Sequence, residues 1–349
     1  MTTKTSRRLP AEWEEHRATW LAWPHEVTDW PGKLAAVSWV YPEIIRLLAE
    51  NEQVELLCHT RELLEYAKSC LTLNGVRTSN VRLHYLPTDR SWLRDSAPIM
   101  VKREDGSPEW VRFAFNAWAK YENFAQDTLV PEHISRISEV TLTDALRPDN
   151  REELVLEGGA IECDGEGTLL VTEECLLSNI QERNPGLNRE TYEEAFAEYL
   201  GIEKTIWLGQ GIVGDDTHGH IDDIARFVAP GKVVVAYEEN PNDENHFPLL
   251  ENIQRLEKAR DAKGRVLDVV SLPMPRPIYF GEERLPASYL NFYIANGLVL
   301  APTFNDEKDF EALSTLRELF PAHKVVGIHC LDFVLGQGTL HCATQQQYR

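Results

Sequence analysis

Short apolar runs and longer amphipathic segments alternate along the whole chain. The apolar runs are rich in β-branched and aromatic residues and are too short for helices, so they predict strands at 19–23, 111–115, 169–172, 233–237 and 298–301. Each run precedes a segment that predicts a helix, most clearly at 34–49, 189–200, 249–262 and 307–320 and more weakly at 127–138. A second strand is then expected at 54–58, 205–208, 266–272 and 325–329. The pattern predicts an α/β protein built from strand–helix–strand units.

Each unit leads into a cluster of polar residues, at 92–95, 157–159, 218–222, 288–291 and 341–342. Asp95 and Glu157 are 62 positions apart, Glu157 and His220 are 63 apart, and His220 and Cys342 are 122 apart, which is twice 61. Alternation alone arises in many α/β chains, but reactive residue types at a constant period favour a pseudo-repeat. No linker divides the chain. We therefore predict one cyclic α/β domain over residues 1–349, with every unit pointing one edge at a common centre.

Cys342 is the first candidate for a reactive residue. It follows Gly336, Gln337 and Gly338 and stands beside His341. A glycine-rich approach to a cysteine indicates backbone that lies close to a ligand or to another segment. A lone cysteine is, however, more often a small buried hydrophobe, so the local sequence leaves both interpretations open.

The run His218-x-His220-x-Asp222 is the second candidate. In a strand, alternate residues share one face, so the three side chains would project together. The run resembles the H-x-H-x-D-H motif of zinc hydrolases with the metallo-β-lactamase fold, but Asp223 replaces the closing histidine and no spaced downstream histidine pair follows. The alternatives are a histidine general acid–base beside a carboxylate, and a solvated loop.

Composition narrows the class of partner. The 35 Lys and Arg residues against 56 Asp and Glu residues give a net charge of −21, which argues against nucleic acids and anionic membranes and favours a cationic ligand. No apolar run approaches the ~18 residues of a membrane helix. The six cysteines form no C-x-x-C pair, and Arg7-Arg8 precedes charged residues rather than the apolar part of an export signal. We expect a cytoplasmic protein with reduced thiols.

Taken together, the clusters resemble the agmatine deiminases, which belong to the guanidine-modifying pentein group together with bacterial peptidylarginine deiminases. The motifs that carry the resemblance lie at 10–14, 20–24, 92–98, 115–118, 157–159, 219–222, 288–292 and 341–346. They include Trp-Leu-Arg-Asp-Ser-Ala-Pro, Glu-Gly-Gly, Gly-His-Ile-Asp and His-Cys-Ala-Thr-Gln-Gln. The resemblance implies a five-bladed α/β propeller with its site on the pseudo-fivefold axis, in agreement with the period.

The resemblance also implies roles for individual residues. Cys342 is the expected nucleophile, His220 the general acid–base, and Asp95 and Asp222 the carboxylates that bind a guanidinium group. Glu157 is expected to orient His220 or the substrate. Further candidates for contact with substrate are Trp92, Trp118 and Gly338. No metal and no organic cofactor are implied. The chain departs from many relatives at Ala119-Lys120 and at Gln337, where glycines are usual.

The expected reaction converts agmatine and water to N-carbamoylputrescine and ammonia through an amidino-cysteine intermediate, in polyamine and putrescine biosynthesis. Alternatives are an arginine or peptidylarginine deiminase, a metal-dependent hydrolase that uses His218, His220 and Asp222, and a catalytically silent polyamine-binding propeller. The expected partner is a small cationic guanidine, and a homodimer is compatible with the sequence.

Agmatine is expected over arginine because an α-carboxylate would need a cationic partner in the pocket. The nearest candidates for that partner are Arg90, Arg94 and Arg276.

Overall fold

Small mixed sheets joined by helices form the frame of the molecule, whose computed structural model describes residues 7–349. The strands are β1 (Arg7–Arg8), β2 (His16–Ala22), β3 (Gln53–Cys58), β4 (Val81–Tyr85), β5 (Ile99–Arg103), β6 (Pro108–Arg112), β7 (Leu142–Asp144), β8 (Glu162–Cys163), β9 (Thr168–Thr172), β10 (Lys204–Leu208), β11 (Ala225–Ala229), β12 (Lys232–Tyr237), β13 (Asp268–Pro273), β14 (Tyr279–Phe280), β15 (Glu283–Arg284), β16 (Tyr293–Ala295), β17 (Leu298–Thr303), β18 (Lys324–His329) and β19 (Thr344–Tyr348).

The helices are α1 (Leu34–Leu48), α2 (Arg61–Leu73), α3 (Leu93–Ser96), α4 (Val130–Ser138), α5 (Glu173–Leu177), α6 (Arg189–Leu200), α7 (His246–Lys258), α8 (Asp309–Leu319) and α9 (Leu340–Ala343). Short 3₁₀ turns lie at Thr78–Asn80, Ala117–Ala119, Asp127–Leu129, Gly158–Ala160, Ile221–Asp223 and Phe333–Gly336. Within residues 7–349, no helix is both long enough and apolar enough to cross a membrane.

Five sheets repeat one strand arrangement. In β5–β6–β7, β8–β9–β10, β11–β12–β13, β16–β17–β18 and β19–β2–β3, the first pair is antiparallel and the second pair is parallel. β1 extends the first of these sheets and β4 the last, whereas β14 and β15 form a separate hairpin. Because β19 pairs with β2, the last unit joins segments from both ends of the described chain.

The predicted elements are confirmed with shifts at their ends. The central strands occur as expected, except that the strand predicted at 111–115 lies at Pro108–Arg112. Residues 113–115 instead continue as an extended segment with a single bridge from Ala114 to Val155. The helix predicted at 249–262 is His246–Lys258, and residues beyond it turn back through a bridge between Arg260 and Val266.

Helix α6 shows how the local sequence sets element ends. The side chain of Asn188 accepts a hydrogen bond from the amide of Thr191 and caps the helix at its start. Gly201 ends the helix with φ +70° in the left-handed region, and a Cβ at this position would lie 1.9 Å from the carbonyl oxygen of Arg7. One face of α6 buries Tyr192 and Phe196 in the core.

The polar clusters occupy the same place in each unit, immediately before its first strand. Short turns at Leu93–Ser96, Gly158–Ala160, Ile221–Asp223 and Leu340–Ala343 precede β5, β8, β11 and β19, and residues 288–291 precede β16. The turn at Leu93–Ser96 contacts those at Gly158–Ala160 and Leu340–Ala343, and the turn at Gly158–Ala160 contacts Ile221–Asp223. The repeat therefore brings the reactive residues together.

Candidate active site

A cavity of about 220 Å³ lies where the clusters meet. Cys342, Asp95, Trp92, Trp118 and Gly338 all line it. The structure thus places five of the residues predicted from the sequence on the walls of one cavity. Their spacing in the sequence gives no hint of this proximity except through the repeat.

Asn291 and Asp222 surround the thiol of Cys342. The Nδ2 group of Asn291 donates to the sulfur at 3.1 Å, while Oδ1 of the same residue faces the amide of Cys342 at 3.4 Å. The sulfur lies 3.6 Å from Oδ2 of Asp222. The side chain of Asn291 therefore fixes both the backbone and the sulfur of this cysteine.

Gly338 lies directly against Cys342. A Cβ at position 338 would lie 3.1 Å from the sulfur of Cys342 and 3.2 Å from the indole ring of Trp92. Both distances are tighter than ordinary van der Waals contact, so a side chain here would crowd the thiol. The preceding residue, Gln337, has φ +72°.

Asp222 is held by a buried relay. His341 bridges its Oδ2 at 2.7 Å and Oε2 of Glu12 at 2.8 Å. Burial alone would raise the pKa of Asp222, but His341 holds that pKa below its ordinary value. The other oxygen, Oδ1, is buried and has no hydrogen-bond partner among the described residues. One charged oxygen is thus left for a donor from outside the protein.

Asp95 is oriented by two donors. The indole Nε1 of Trp118 donates to Oδ2 at 2.9 Å, and the amide of Gly159 donates to Oδ1 at 3.0 Å. Burial raises the pKa of Asp95 to about 6 despite the nearby imidazole of His220. Trp118 therefore contributes its N–H group to positioning a carboxylate as well as its ring to the cavity wall.

His220 lies buried between two carboxylates. Its Nδ1 is 3.9 Å from Oδ1 of Asp95, and its Nε2 is 3.8 Å from Oε2 of Glu157. Neither ring nitrogen has a hydrogen-bond partner within residues 7–349. Burial alone would lower the pKa of His220, but Asp95 and its other neighbours raise that pKa well above its ordinary value. A Cβ at Gly159 would lie 2.5 Å from Nδ1, so this glycine makes room for the ring.

Glu157 is fixed from its other side. The Nε group of Arg183 donates to Oε1 at 2.9 Å, and both side chains are fully buried. Burial alone would raise the pKa of Glu157, but Arg183 and His220 lower it to about 2. Glu157 is therefore a carboxylate whose free oxygen, Oε2, faces His220.

The thiol of Cys342 has a pKa well above its ordinary value. Burial is the main cause, and the negative charges of Asp222, Asp223 and Asp95 add to it. The hydrogen bond from Asn291 lowers the pKa but does not offset these effects. A cation placed between Asp95 and Asp222 would offset the carboxylates and favour the thiolate.

The prediction that His218, His220 and Asp222 share one face is wrong. These residues lie on a loop and a 3₁₀ turn rather than a strand, and His218 has φ +65°. Its Nε2 lies 3.1 Å from the hydroxyl of Ser178, and its Nδ1 lies 3.8 Å from Glu174. The three side chains therefore do not form the metal site that strand geometry would have given.

Several residues of this site were not predicted as functional. Asn291 belongs to a recurrent polar cluster, and Glu12 belongs to the first motif, so the sequence carried a signal for both. The sequence contains no comparable signal for Arg183 or Cys175. Cys175 lies in α5 near His220, and only the fold brings it there.

The comparison with known proteins covers nearly the whole chain. A profile of the Porphyromonas-type peptidyl-arginine deiminases matches residues 8–347. The chain is 36% identical to an agmatine deiminase of Pseudomonas aeruginosa, over 97% of this chain and 95% of that protein. The chain belongs to the agmatine deiminase family. The matched range, residues 8–347, includes every residue of the site described above.

Solved structures agree with the assignment to the agmatine deiminase family. The agmatine deiminase of Enterococcus faecalis superposes with a TM-score of 0.89 at 31% identity and covers 100% of this chain and 99% of its own. A substrate-bound agmatine deiminase of C. jejuni has a TM-score of 0.86 at 29% identity, covering 98% of this chain and 96% of its own. The mixed α/β fold is therefore that of the family.

Proposed function

We propose that this chain hydrolyses agmatine to N-carbamoylputrescine and ammonia through a covalent intermediate on Cys342. The observation that carries the proposal is a cysteine on the wall of a small cavity, flanked by the buried carboxylates of Asp95 and Asp222. Membership of the agmatine deiminase family supports the same reaction. The product places the enzyme in putrescine biosynthesis.

Asp95 and Asp222 bind the guanidinium group. Paired carboxylates make charge-assisted hydrogen bonds to the N–H edges of this planar cation. Asp222 has a free oxygen for this purpose, and Trp118 holds Asp95 in a fixed orientation. The two contacts hold the guanidinium carbon in reach of the sulfur, so that attack needs little further ordering.

The bound cation activates the nucleophile. In the free protein, burial and three aspartates hold the pKa of Cys342 high, so the thiol keeps its proton. A guanidinium between the carboxylates compensates their charge and lowers the cost of the thiolate. The thiol therefore releases its proton to solvent when the substrate is bound, and the free enzyme keeps a weakly reactive thiol.

The chemistry then proceeds in two halves. The sulfur of Cys342 bonds to the guanidinium carbon, the bond from that carbon to a terminal nitrogen breaks, and His220 delivers the proton with which ammonia leaves. In the second half His220 takes a proton from water, the oxygen bonds to the amidino carbon, and the carbon–sulfur bond breaks. The ureido product departs and the thiolate is restored. Glu157 supports the charged form of His220 in both halves.

Charges around the cavity favour agmatine over arginine. The lining contains the acidic residues Asp29, Asp216 and Glu283 and one basic residue, Arg90. Arg90 is already paired with Asp29 and lies 4.1 Å from the ring centre of Tyr121. Asp216 is paired in the same way with Lys120. An ammonium group can lie beside Glu283, whereas an α-carboxylate would find no unpaired cation among the residues that line the cavity.

The other two arginines considered for a carboxylate anchor are also engaged. Arg94 pairs with Glu12 at 3.3 Å in the buried layer beneath the site. Arg276 pairs with Asp306 at 2.9 Å, and its side chain is 67% exposed. Neither lines the cavity.

A pentein architecture accounts for the convergence of the clusters. Five sheets of the same arrangement, each preceded by a polar cluster, support a five-bladed α/β propeller with the cavity on its axis. The pairing of β19 with β2 supports a single domain over residues 1–349, because it builds one unit from segments at both ends of the described chain. The six cysteines are free and buried, in keeping with a reducing cytoplasm.

Ammonia release from agmatine, arginine and a blocked arginine peptide tests the proposal. We expect kcat/KM for agmatine to exceed that for arginine by at least ~100-fold, the effect of one buried unpaired carboxylate. The Cys342→Ser variant is the blank for each substrate. Comparable rates on agmatine and arginine would contradict the substrate assignment but leave deiminase chemistry intact, whereas release from none of them would contradict both.

A further inference from the structure

Three ligand atoms of different chemistry meet behind the cavity. The sulfur of Cys175, a carboxylate oxygen of Glu157 and a ring nitrogen of His220 all lie within 4.8 Å of one another. Within residues 7–349 this is the one group of three or more such side chains whose atoms lie that close. All three residues are buried, with Cys175 1% exposed and Glu157 0% exposed.

Two of these atoms have no hydrogen-bond partner. Oε2 of Glu157 and Nε2 of His220 face each other at 3.8 Å, and neither has a hydrogen-bond partner among the described residues. Buried polar atoms without partners are rare and point to a missing ligand. A divalent cation that displaces the Nε2 proton of His220 would find a ring nitrogen and a carboxylate oxygen facing each other at this distance.

Neighbouring residues fix the three ligands. Arg183 holds the opposite oxygen of Glu157 at 2.9 Å, which leaves Oε2 directed at His220. The hydroxyl of Thr172 accepts from the amide of Cys175 at 3.1 Å and donates to the carbonyl of Gly219 at 2.6 Å. One threonine thus sets the separation between the cysteine and the peptide that leads into His220. Such outer contacts are typical of metal sites.

We propose that Glu157, Cys175 and His220 form an inhibitory binding site for Zn²⁺ or a similar thiophilic divalent ion. A thiolate, an imidazole and a carboxylate are ligands that Zn²⁺ prefers over Mg²⁺ or Ca²⁺. The thiolate and the carboxylate balance the charge of the ion. The protons displaced from the ligands pass to solvent, and a water completes four coordination.

The geometry needs only a small contraction. Bonds of about 2.0–2.3 Å in a tetrahedral site place ligand atoms about 3.5 Å apart. The Glu157 and His220 atoms already lie at 3.8 Å, and the limit of 4.8 Å on the remaining separations requires side-chain shifts of about 1 Å. Asp95, which lines the cavity and lies 3.9 Å from His220, separates the cluster from the cavity.

Occupation of this site removes His220 from the reaction. A metal-bound ring nitrogen neither accepts nor delivers a proton, so neither half of the hydrolysis can proceed. Metal binding does not depend on the proposed function, whereas the inhibition rests on it. Two separate measurements keep these parts distinct.

Cobalt spectroscopy tests the site directly. Co²⁺ alone is titrated into the reduced full chain carrying Cys342→Ser, so that the thiol in the cavity cannot contribute. We expect a near-ultraviolet band from a thiolate–cobalt bond, which disappears when Cys175→Ser is added and persists when Cys330→Ser is added. A band that survives Cys175→Ser, or no band in the Cys342→Ser background, would overturn the proposal.

Inhibition by Zn²⁺ provides the second measurement. Agmatine hydrolysis by the otherwise unaltered chain should fall on addition of Zn²⁺ alone and recover with a chelator. Relative to each variant's own metal-free rate, Cys175→Ser and Cys175→Ala should raise the inhibitory concentration at least ~10-fold. His218→Asn, which changes a nearby histidine outside the cluster, should leave it unchanged.

The outcomes separate the proposals. Equal sensitivity of the wild type and both Cys175 variants would overturn the metal site while the hydrolase stands. If the cobalt band depends on Cys175 but the unaltered chain does not hydrolyse agmatine, the proposed function is overturned and the metal site stands. Near-ultraviolet circular dichroism of each variant checks that the fold is retained, and the two substitutions at Cys175 guard against a defect peculiar to one of them.

Discussion

The two sides of the catalytic cavity are equally buried but differ in how their polar atoms are satisfied. On the nucleophile side, Cys342 and Asp222 are tied to Asn291 and His341 by hydrogen bonds, and only Oδ1 of Asp222 has no partner in the described structure. On the acid–base side, both ring nitrogens of His220 and one oxygen of Glu157 have no such partner.

The difference shows where the protein supplies order and where the ligand does. The nucleophile must be placed before attack, so backbone and side-chain contacts fix it in the free protein. The acid–base group must exchange protons with ammonia and water, so its nitrogens cannot be committed to protein partners. Atoms without protein partners also leave that side open to the metal ion proposed above. Variants on each side can test this contrast.

Removal of the nucleophile should have the largest effect. Cys342→Ser replaces a sulfur that forms the covalent bond, so kcat should fall by at least ~10³-fold because a hydroxyl at this position is a far weaker attacker. Ammonia release measures the loss. Cys330→Ser, in an equally buried cysteine outside the cavity, is the control and should retain activity. Substantial turnover by Cys342→Ser would contradict covalent catalysis.

Removal of the acid–base group should cost ~10²–10⁴-fold in kcat, the usual contribution of positioned proton transfer. His220→Asn keeps a polar side chain but cannot exchange protons near neutral pH. His218→Asn serves as the matched control, because that ring contacts Ser178 rather than the cavity. Mass spectrometry of His220→Asn with agmatine should reveal an amidino adduct on Cys342. Similar losses in both histidine variants would indicate that the contrast between them is mistaken.

The carboxylate of Asp95, which lies between the two sides, should control the acid limb of the pH profile of kcat/KM. The pKa of Asp95 is raised to about 6, so this group is charged above that pH and neutral below it. Only the charged form pairs with a guanidinium, and kcat/KM should therefore rise from pH 5 to pH 7. His220, Asp222 and Glu157 also act on this carboxyl group.

Asp95→Asn isolates the effect of that charge. We expect kcat/KM near pH 7 to fall ~100-fold with loss of one buried charge pair, mostly through KM. The rise between pH 5 and pH 7 should flatten, since the amide does not titrate. A variant that keeps the full acid limb would assign that limb to another group.

The side chains that we propose to react were recognisable in the sequence, whereas most of the residues that contact and hold them were not. The period places Asp95, Glu157, His220 and Cys342 at equivalent points of repeated units, and reactive residue types are recognisable by their chemistry. Arg183 is a surface residue by ordinary expectation, and its burial against Glu157 depends on contacts between segments 26 positions apart. Local periodicity carries no information about such pairs.

The prediction for His218 was wrong because it relied on local alternation alone. Alternation in the sequence predicted a strand, whereas Gly219, with φ +89°, and the following 3₁₀ turn rotate His218 away from His220. Helix α2 and strand β4 were not predicted either; β4 pairs with β3 at the edge of its sheet, and neither element contributes a residue to the lining of the cavity.

Weakening the support of the nucleophile should have the smallest effect of these changes. Asn291→Ala removes the donor to the sulfur of Cys342 and the acceptor that faces its amide, but leaves Asp222 and His341 in place. The Asn291 hydrogen bond lowers the pKa of the thiol against the opposing carboxylates, so its loss should move thiol ionisation to higher pH. Alkylation of Cys342 as a function of pH measures this shift, and kcat should fall about tenfold for one lost hydrogen bond to a charged group. If the side chain of Asn291 only filled space, its removal would lower the stability of the protein without shifting the pH dependence of alkylation. An unchanged profile, with activity reduced only in proportion to folded protein, would therefore show that the nucleophile side is ordered by packing rather than by this amide.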